Sequence, residues 1–325
     1  MLNWSIISEM KKVDVRERIL GGILGLSVGD ALGVPIEFAY REELKEDPVS
    51  EMIGYGYHNQ PPGTWSDDTS LTLCTVESLC NGYDLEDIAN RFLRWFKEGY
   101  MTPYGVAFDV GKTTRVAISR LKHGFSPKES GLTDELSNGN GGLMRILPVA
   151  FFVQNMNIAE QMRITHEVTA ITHAHPRSLI ASGIYVQIII GIMENLDPET
   201  ALLRAKKIAM DFYRDEPFAR ELKHFDRLFS ENFMNLPEQE IFSDGYVVHT
   251  LEASIWCFLN SGSFEEACLR AINLGDDADT TGAVTGGLAG TYYGVKAIPE
   301  RFLRKLAKAE EIFGLVEKFF ESLYK

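Results

Sequence analysis

The chain reads as an all-α protein, a single compact multi-helix bundle over residues 1–325. Three observations carry that expectation. Apolar residues recur at helical spacing in nearly every segment, runs of strict apolar/polar alternation are scarce, and no linker divides the chain. Hydrophobic residues at 45% beside 24% charged residues describe a globular chain that can bury a core.

A first helix is expected over residues 14–29, where Gly21, Gly22, Gly25 and Gly29 are spaced to let another helix approach closely. The chain then turns through Gly29-Asp30-Ala31-Leu32-Gly33-Val34-Pro35 to Glu37. Residues 54–66 are a loop of Gly, Pro and aromatics that delivers Ser66-Asp67-Asp68-Thr69 to a helix ending near Asn81. Asp84 caps a helix over 85–98, with Asp87 as its capping-box partner. Within a helix over 105–122, Gly111-Lys112-Thr113 invites a phosphate-loop reading; Gly105 precedes it by one residue too many and no strand leads in, so that reading fails. Residues 124–142 form a loop, followed by helices over 143–153, 158–172, 176–194 and 198–213. Residues 214–245 are polar and irregular, a surface excursion, and helices resume over 246–260, 264–273, 280–293 and 299–322.

A net charge of −14 argues against a nucleic-acid partner, while leaving room for a small anionic ligand met by local donors or cations. Cys74, Cys80, Cys257 and Cys268 form no C-x-x-C pair and no zinc spacing, which fits buried free thiols in a reducing, cytoplasmic setting. Lys11, Lys12, Arg16 and Arg18 before the apolar run Ile19–Leu26 mimic a signal peptide, but Asp14 and Glu17 interrupt the bases and Asp30 follows. The apolar run from Leu179 to Met193 carries Ser182 and Gln187 and is short for a membrane span, so no membrane partner is expected.

Chemistry concentrates at Gly275-Asp276-Asp277-Ala278-Asp279-Thr280-Thr281-Gly282, three acids within four positions at the mouth of an apolar, glycine-rich run. Carboxylates so placed repel one another, and a divalent cation is the strongest counter-charge. An EF-hand is excluded, because Leu288 stands where its bidentate glutamate belongs. A helix-capping cluster remains open, although capping needs only one such residue. Ser66-Asp67-Asp68-Thr69 repeats the pattern, and two such clusters suggest one shared site of oxygen donors suited to Mg²⁺ or Mn²⁺. Gly139-Asn140-Gly141-Gly142, with Arg145 behind, offers backbone N–H groups to phosphate oxygens or is a plain capped loop. His173-Ala174-His175-Pro176 lacks the strand barrel that a zinc pair of this spacing requires; contact with a nucleotide ligand fits better.

Gly29-Asp30-Ala31-Leu32-Gly33 with Glu37, Ser66-Asp67-Asp68-Thr69, Gly139 to Arg145, Thr172 to Pro176, and Gly275 to Thr280 occur in an order that resembles the ADP-ribosylglycohydrolase family almost end to end. The resemblance implies an all-helical orthogonal bundle with two Mg²⁺ or Mn²⁺ ions, held by Ser66, Asp67 and Asp68 from one cluster and by Asp277, Asp279 and Thr280 from the other. It further implies a catalytic group of Asp67, Asp68 and Glu37, a diphosphate loop at Gly139, Asn140, Gly141 and Gly142, and His175 near the distal part of the ligand. Two departures stand out: Ser66 replaces the usual threonine, and Asp276 replaces the second glycine of Gly-Gly-Asp. The implied activity is hydrolysis of the bond from ADP-ribose to an acceptor, above all arginine on an ADP-ribosylated protein or a small ADP-ribosyl compound. A non-catalytic ADP-ribose binder and a Mg²⁺-dependent pyrophosphohydrolase are the alternatives.

Overall fold

The computed structural model of the chain describes residues 13–324, so Lys11 and Lys12 of the N-terminal basic pattern lie outside the described residues. The helices follow in the order α1 (Val15–Gly33), α2 (Arg41–Glu46), α3 (Asp67–Leu79), α4 (Leu85–Glu98), α5 (Lys112–Lys122), α6 (Pro127–Ser130), α7 (Leu147–Val153) and α8 (Ile158–Ala170). They continue with α9 (Pro176–Met193), α10 (Pro198–Phe212), α11 (Val247–Leu259), α12 (Phe264–Ile272), α13 (Ala278–Tyr293), α14 (Glu300–Lys305) and α15 (Ala309–Leu323). Among the described residues there are isolated β-bridges, such as Gly139 to Tyr246, but no strand.

Glycine decides how the two central helices meet. Along α1 and α13, Gly21 faces Gly290, Gly25 faces Gly286 and Gly29 faces Gly282; a Cβ on Gly29 would lie 2.0 Å from the Gly282 carbonyl oxygen. Gly33, at the end of α1, abuts the backbone of Asp279, where a Cβ would lie 2.3 Å from its Cα. The helices are therefore antiparallel in near backbone contact, and that contact brings the acid at the end of one to the acid at the start of the other. α1 and α9 are long and apolar enough to cross a membrane, yet 100% and 89% of their apolar windows are buried inside the protein. Around them pack Phe92, Phe151, Phe264, Phe302 and Phe319, each fully buried, and each large apolar side chain contributes roughly 1.5–3 kcal/mol on burial.

Several boundaries differ from the sequence expectation. α1 runs through Gly29 and Asp30 to Gly33 instead of turning there, because its glycines are contact points and not stops. α5 starts at Lys112, since Gly105 and Asp109 adopt left-handed φ of 79° and 52°. Asp84 caps α4 alone, accepting from the N–H groups of Glu86 and Asp87, while the Asp87 carboxylate pairs with Arg91. The expected C-terminal helix is broken at Lys308, φ 55°, where the Ala307 carbonyl accepts from the Trp65 indole. Residues 214–245 form 3₁₀ turns over Ala219–Phe225, Phe233–Asn235 and Glu238–Glu240, and Phe225, Phe233 and Ile241 anchor them in the core. Cys74, Cys257 and Cys268 are buried free thiols and Cys80 is half-buried.

Candidate metal centre and active-site cleft

Each acidic cluster sits on a helix start that the fold holds from outside. Asp30, buried in α1, accepts from the N–H groups of Ser66 and Thr69 at 2.9 and 3.0 Å and from the Thr69 hydroxyl at 2.6 Å, so it caps the first turn of α3 from another helix. Gly275 and Asp276 turn the chain into α13 through left-handed φ of 77° and 53°. Arg41 secures that turn by donating to the carbonyls of Leu274, Glu238 and Ile241.

Held this way, Asp68 and Asp279 meet. One carboxylate oxygen from each of Asp30, Asp68 and Asp279 lies within 4.8 Å of the others, and the same holds for Glu37, Asp277 and Asp279. Thr280 Oγ1 donates to Asp68 Oδ2 at 3.4 Å and Ser66 Oγ donates to the same oxygen at 3.0 Å. Asp68 Oδ1 and Asp279 Oδ2 are buried without any hydrogen-bond partner. Burial is the first cause that pushes Asp67, Asp68 and Asp279 well above the ordinary carboxylate range, and neighbouring acids add to it. Asp30 is pushed up to about 6 by burial against the hydrogen bonds of Thr69 and Ser66. Orphaned, mutually repelling, all-oxygen donors fit a hard divalent cation, and the clusters can bind metal.

Above this floor opens a cleft of about 410 Å³. Glu37, Asp67, Asp277 and Thr280 line it, whereas Ser66, Asp68 and Asp279 lie beneath its surface. Gly139, Asn140 and Gly141 form part of its wall, and Asn140 Nδ2 donates to Asp277 Oδ2 at 2.9 Å, tying the loop to the second cluster. Gly142 is buried behind that wall. Arg145 does not enter the cleft: fully buried, it donates to the carbonyl of Gly141 and, at 2.9 Å, to Thr172 Oγ1, with burial lowering its pKa to about 9.

The two histidines of the His-Ala-His segment part company. His175 is absent from the cleft lining; it caps α9 by accepting from the Arg177 N–H and stands 3.5 Å from Glu135. His173 lines the cleft instead, pushed down to about 3 by burial and by the Arg145 charge, and so neutral. The Thr172 hydroxyl, which accepts from Arg145, lies 2.7 Å from His173 Nδ1, within hydrogen-bond distance.

Three groups had no assigned role in the sequence reading. Asp30 is the one acid beyond the first turn of an apolar glycine helix, a signal that was visible in the sequence. His58 and Asp109 come from loops: His58 Nε2 hydrogen-bonds Glu37 Oε2 and lies 4.0 Å from Asp109. Burial pushes Glu37 up to about 7, partly offset by His58. Burial would lower His58, yet its bond to Glu37 and the neighbouring acids raise it. Nothing local in the sequence marks that triad.

Residues 11–325 match the family model for ADP-ribosylglycohydrolase. The fold is thus that of a glycohydrolase. ADP-ribosylarginine hydrolase Tri1 of Serratia proteamaculans is 33% identical over 325 residues, 97% of this chain and 81% of the relative. ADP-ribosyl-[dinitrogen reductase] glycohydrolase of Rhodospirillum rubrum is 32% identical over 299 residues, 90% of this chain and 91% of the relative. A solved structure, an ADP-ribosylglycohydrolase-related protein complex, superposes with a TM-score of 0.79 at 35% identity, covering 95% of this chain and 98% of that one. The chain belongs to the ADP-ribosylglycohydrolase family and is an enzyme of that class.

Proposed function

We infer that this enzyme hydrolyses the bond between C1″ of ADP-ribose and an arginine guanidinium on protein, releasing ADP-ribose, with two Mg²⁺ or Mn²⁺ ions at the acidic centre. The observation that carries the reading is the pair of unpartnered carboxylate oxygens, on Asp68 and Asp279, converging from distant helices beneath the cleft. Asp279 belongs to both carboxylate groups, which supports two ions and not one. The arginine linkage is favoured by the relative named ADP-ribosylarginine hydrolase. Ser66, Asp67, Asp68, Asp277, Asp279 and Thr280 would hold the ions, with Asp30 adjoining them.

When bound, the cations supply polarisation of the ribose oxygens and a water that ionises near neutral pH. The chain's own groups do the rest. Asp67, at the cleft wall with a raised pKa, is placed to take the proton of the attacking water. Asp68, under the floor, is placed to hold an ion and not the substrate. As the C1″–N bond breaks, its electron pair stays on the guanidine nitrogen, C1″ gains oxocarbenium character, and water oxygen closes on it. Glu37, pushed up to about 7 and steadied by His58, holds a proton at the leaving group. The Gly139-Asn140-Gly141 wall supports the diphosphate.

The test incubates a protein ADP-ribosylated on arginine with the full chain and Mg²⁺ or Mn²⁺, then identifies the products. Free ADP-ribose and unmodified arginine are expected. AMP would mean that the diphosphate is the bond attacked, and ADP-ribose binding without turnover would mean a binder; either result defeats the reading.

A further inference from the structure

The mouth of the cleft carries large aromatic side chains that the reaction centre does not use. Phe38 and Tyr57 meet edge to face with ring centroids 4.7 Å apart, yet they remain 52% and 65% exposed. Tyr40 and Phe242, 69% and 49% exposed, border a neighbouring hollow of about 240 Å³. Single exposed aromatics are ordinary, but these gather around one residue. Asp276, itself exposed, lines the cleft together with Phe38 and the hollow together with Tyr40 and Phe242.

The rim is strained and held firm. Phe38 has a left-handed φ of 64°, an outlier for a bulky side chain, and Asp276 has one of 53°. Reciprocal backbone bonds clamp the two turns together, Phe38 N–H to the Asp276 carbonyl at 2.6 Å and Asp276 N–H to the Ala39 carbonyl at 3.0 Å. Glycine at position 38 would relieve the strain, and a ring left half exposed recovers little from burial. Folding stability gives no reason for Phe38; a partner laid against its ring does.

Charge indicates the kind of partner. In the hollow, Asp276 and Glu42 form no ion pair among the described residues, whereas Lys45 is paired with Glu238 at 3.5 Å and Arg41 is engaged by backbone carbonyls. Asp109 and Asp244 add acids on the cleft side. Aromatic faces beside unpaired carboxylates attract arginine and lysine side chains. A second copy of a chain of net charge −14 would bring like charge to this surface.

We propose that Phe38, Tyr57, Asp276, Tyr40 and Phe242 form the docking surface for the polypeptide that carries the modified arginine, and that the segment seated there is basic. This rests on the reading that ADP-ribosyl-arginine is cleaved in the cleft. The rings and Asp276 then hold the residues flanking that arginine, which makes a protein a better substrate than a small ADP-ribosyl compound.

Steady-state hydrolysis by the full chain in Mg²⁺ tests this on free ADP-ribosylarginine and on two peptides, each with one ADP-ribosylarginine, flanked by lysines or by glutamates. The parent should favour the lysine-flanked peptide in kcat/KM by about tenfold. Tyr40→Ala combined with Phe242→Ala should raise KM for that peptide about tenfold, the scale of truncating aromatic contacts, with kcat unchanged. Free ADP-ribosylarginine should keep both constants, because neither ring lines the cleft. Asp276→Asn, which still tolerates the left-handed turn, should shrink the preference for lysine flanks several-fold, and NaCl should erode it in the parent. Melting curves verify that the variants fold. No preference between the peptides, an unchanged KM in the double variant, or the same loss on free ADP-ribosylarginine overturns the docking surface and leaves the hydrolase reading standing. So does a dimer, seen by sedimentation, that the double variant abolishes, since the occupant is then a second copy. A folded parent that cleaves none of the three substrates brings down both.

Discussion

At φ 53° Asp276 occupies the left-handed region, where a Cβ is strained and glycine is not. Asp276→Gly should therefore stabilise the protein, by less than about 1 kcal/mol once the extra freedom of glycine in the unfolded chain is counted. Asp276→Ala keeps the strain and should melt below Asp276→Gly; the opposite order in paired melting curves would rule out strain as the cause. Asp279 is a different case, since its cost is electrostatic. Asp279→Ala should lower turnover by ~1,000-fold or more, about 4 kcal/mol of barrier, and abolish the metal-induced rise in melting temperature. Asp279→Asn keeps the shape and removes one buried, repelled charge, so without metal at neutral pH it should melt at or above the parent. A metal-free Asp279→Asn that melts well below the parent would show that the carboxylate is paired and not orphaned. At this scale the acids on helix starts were legible, because Asp67, Asp68, Asp277 and Asp279 are more than any cap requires. His58 and Asp109 were not, for they reach Glu37 only through loops whose left-handed residues, Asn59 and Asp109 among them, have no sequence pattern of their own.

Between elements, the contact of α1 with α13 sets the spacing of the site, and two glycines give it a clear test. In Gly29→Ala the new Cβ would meet the Gly282 carbonyl at 2.0 Å, and backbone cannot rotate aside. We expect a loss of about 3 kcal/mol or more, together with a weaker response to Mg²⁺ as Asp30 moves away from Asp279. Gly314→Ala, the same chemical change on α15, meets nothing within 4 Å and should instead stabilise by about 0.5–1 kcal/mol. Chemical denaturation of both variants decides it: equal effects would mean that helix propensity, and not the helix contact, governs the first. The glycine spacing of the first helix foretold a close neighbour in the sequence, but not which helix. The α14–α15 break was hidden for a related reason. Its cause is tertiary, a Trp65 indole bonded to the Ala307 carbonyl and an Ala307 N–H bonded to Gly63, and no helix-breaking residue marks it.

For the molecule as a whole, protons and metal compete for the same buried carboxylates, and this fixes how stability depends on pH. Asp30 at about 6 and Glu37 at about 7, with Asp67, Asp68 and Asp279 well above the ordinary range, all bind protons more tightly in the folded chain than in the unfolded one. Between about pH 4 and the raised values the folded state then holds more protons, and stability falls as pH rises through that window. The metal-free protein, kept in chelator, should melt at progressively lower temperature from about pH 5 to pH 8. Cations reverse the trend, because they replace those protons as the counter-charge and bind only the ionised, folded cluster. Their stabilisation, about 4 kcal/mol at a thousandfold excess over Kd, should thus be small near pH 5 and largest near pH 8. Differential scanning fluorimetry with and without Mg²⁺ across that range measures both limbs. Parallel curves, with a metal shift that does not change with pH, would mean that the ions bind groups other than these acids, and the joining of Asp68 to Asp279 would lose its functional meaning.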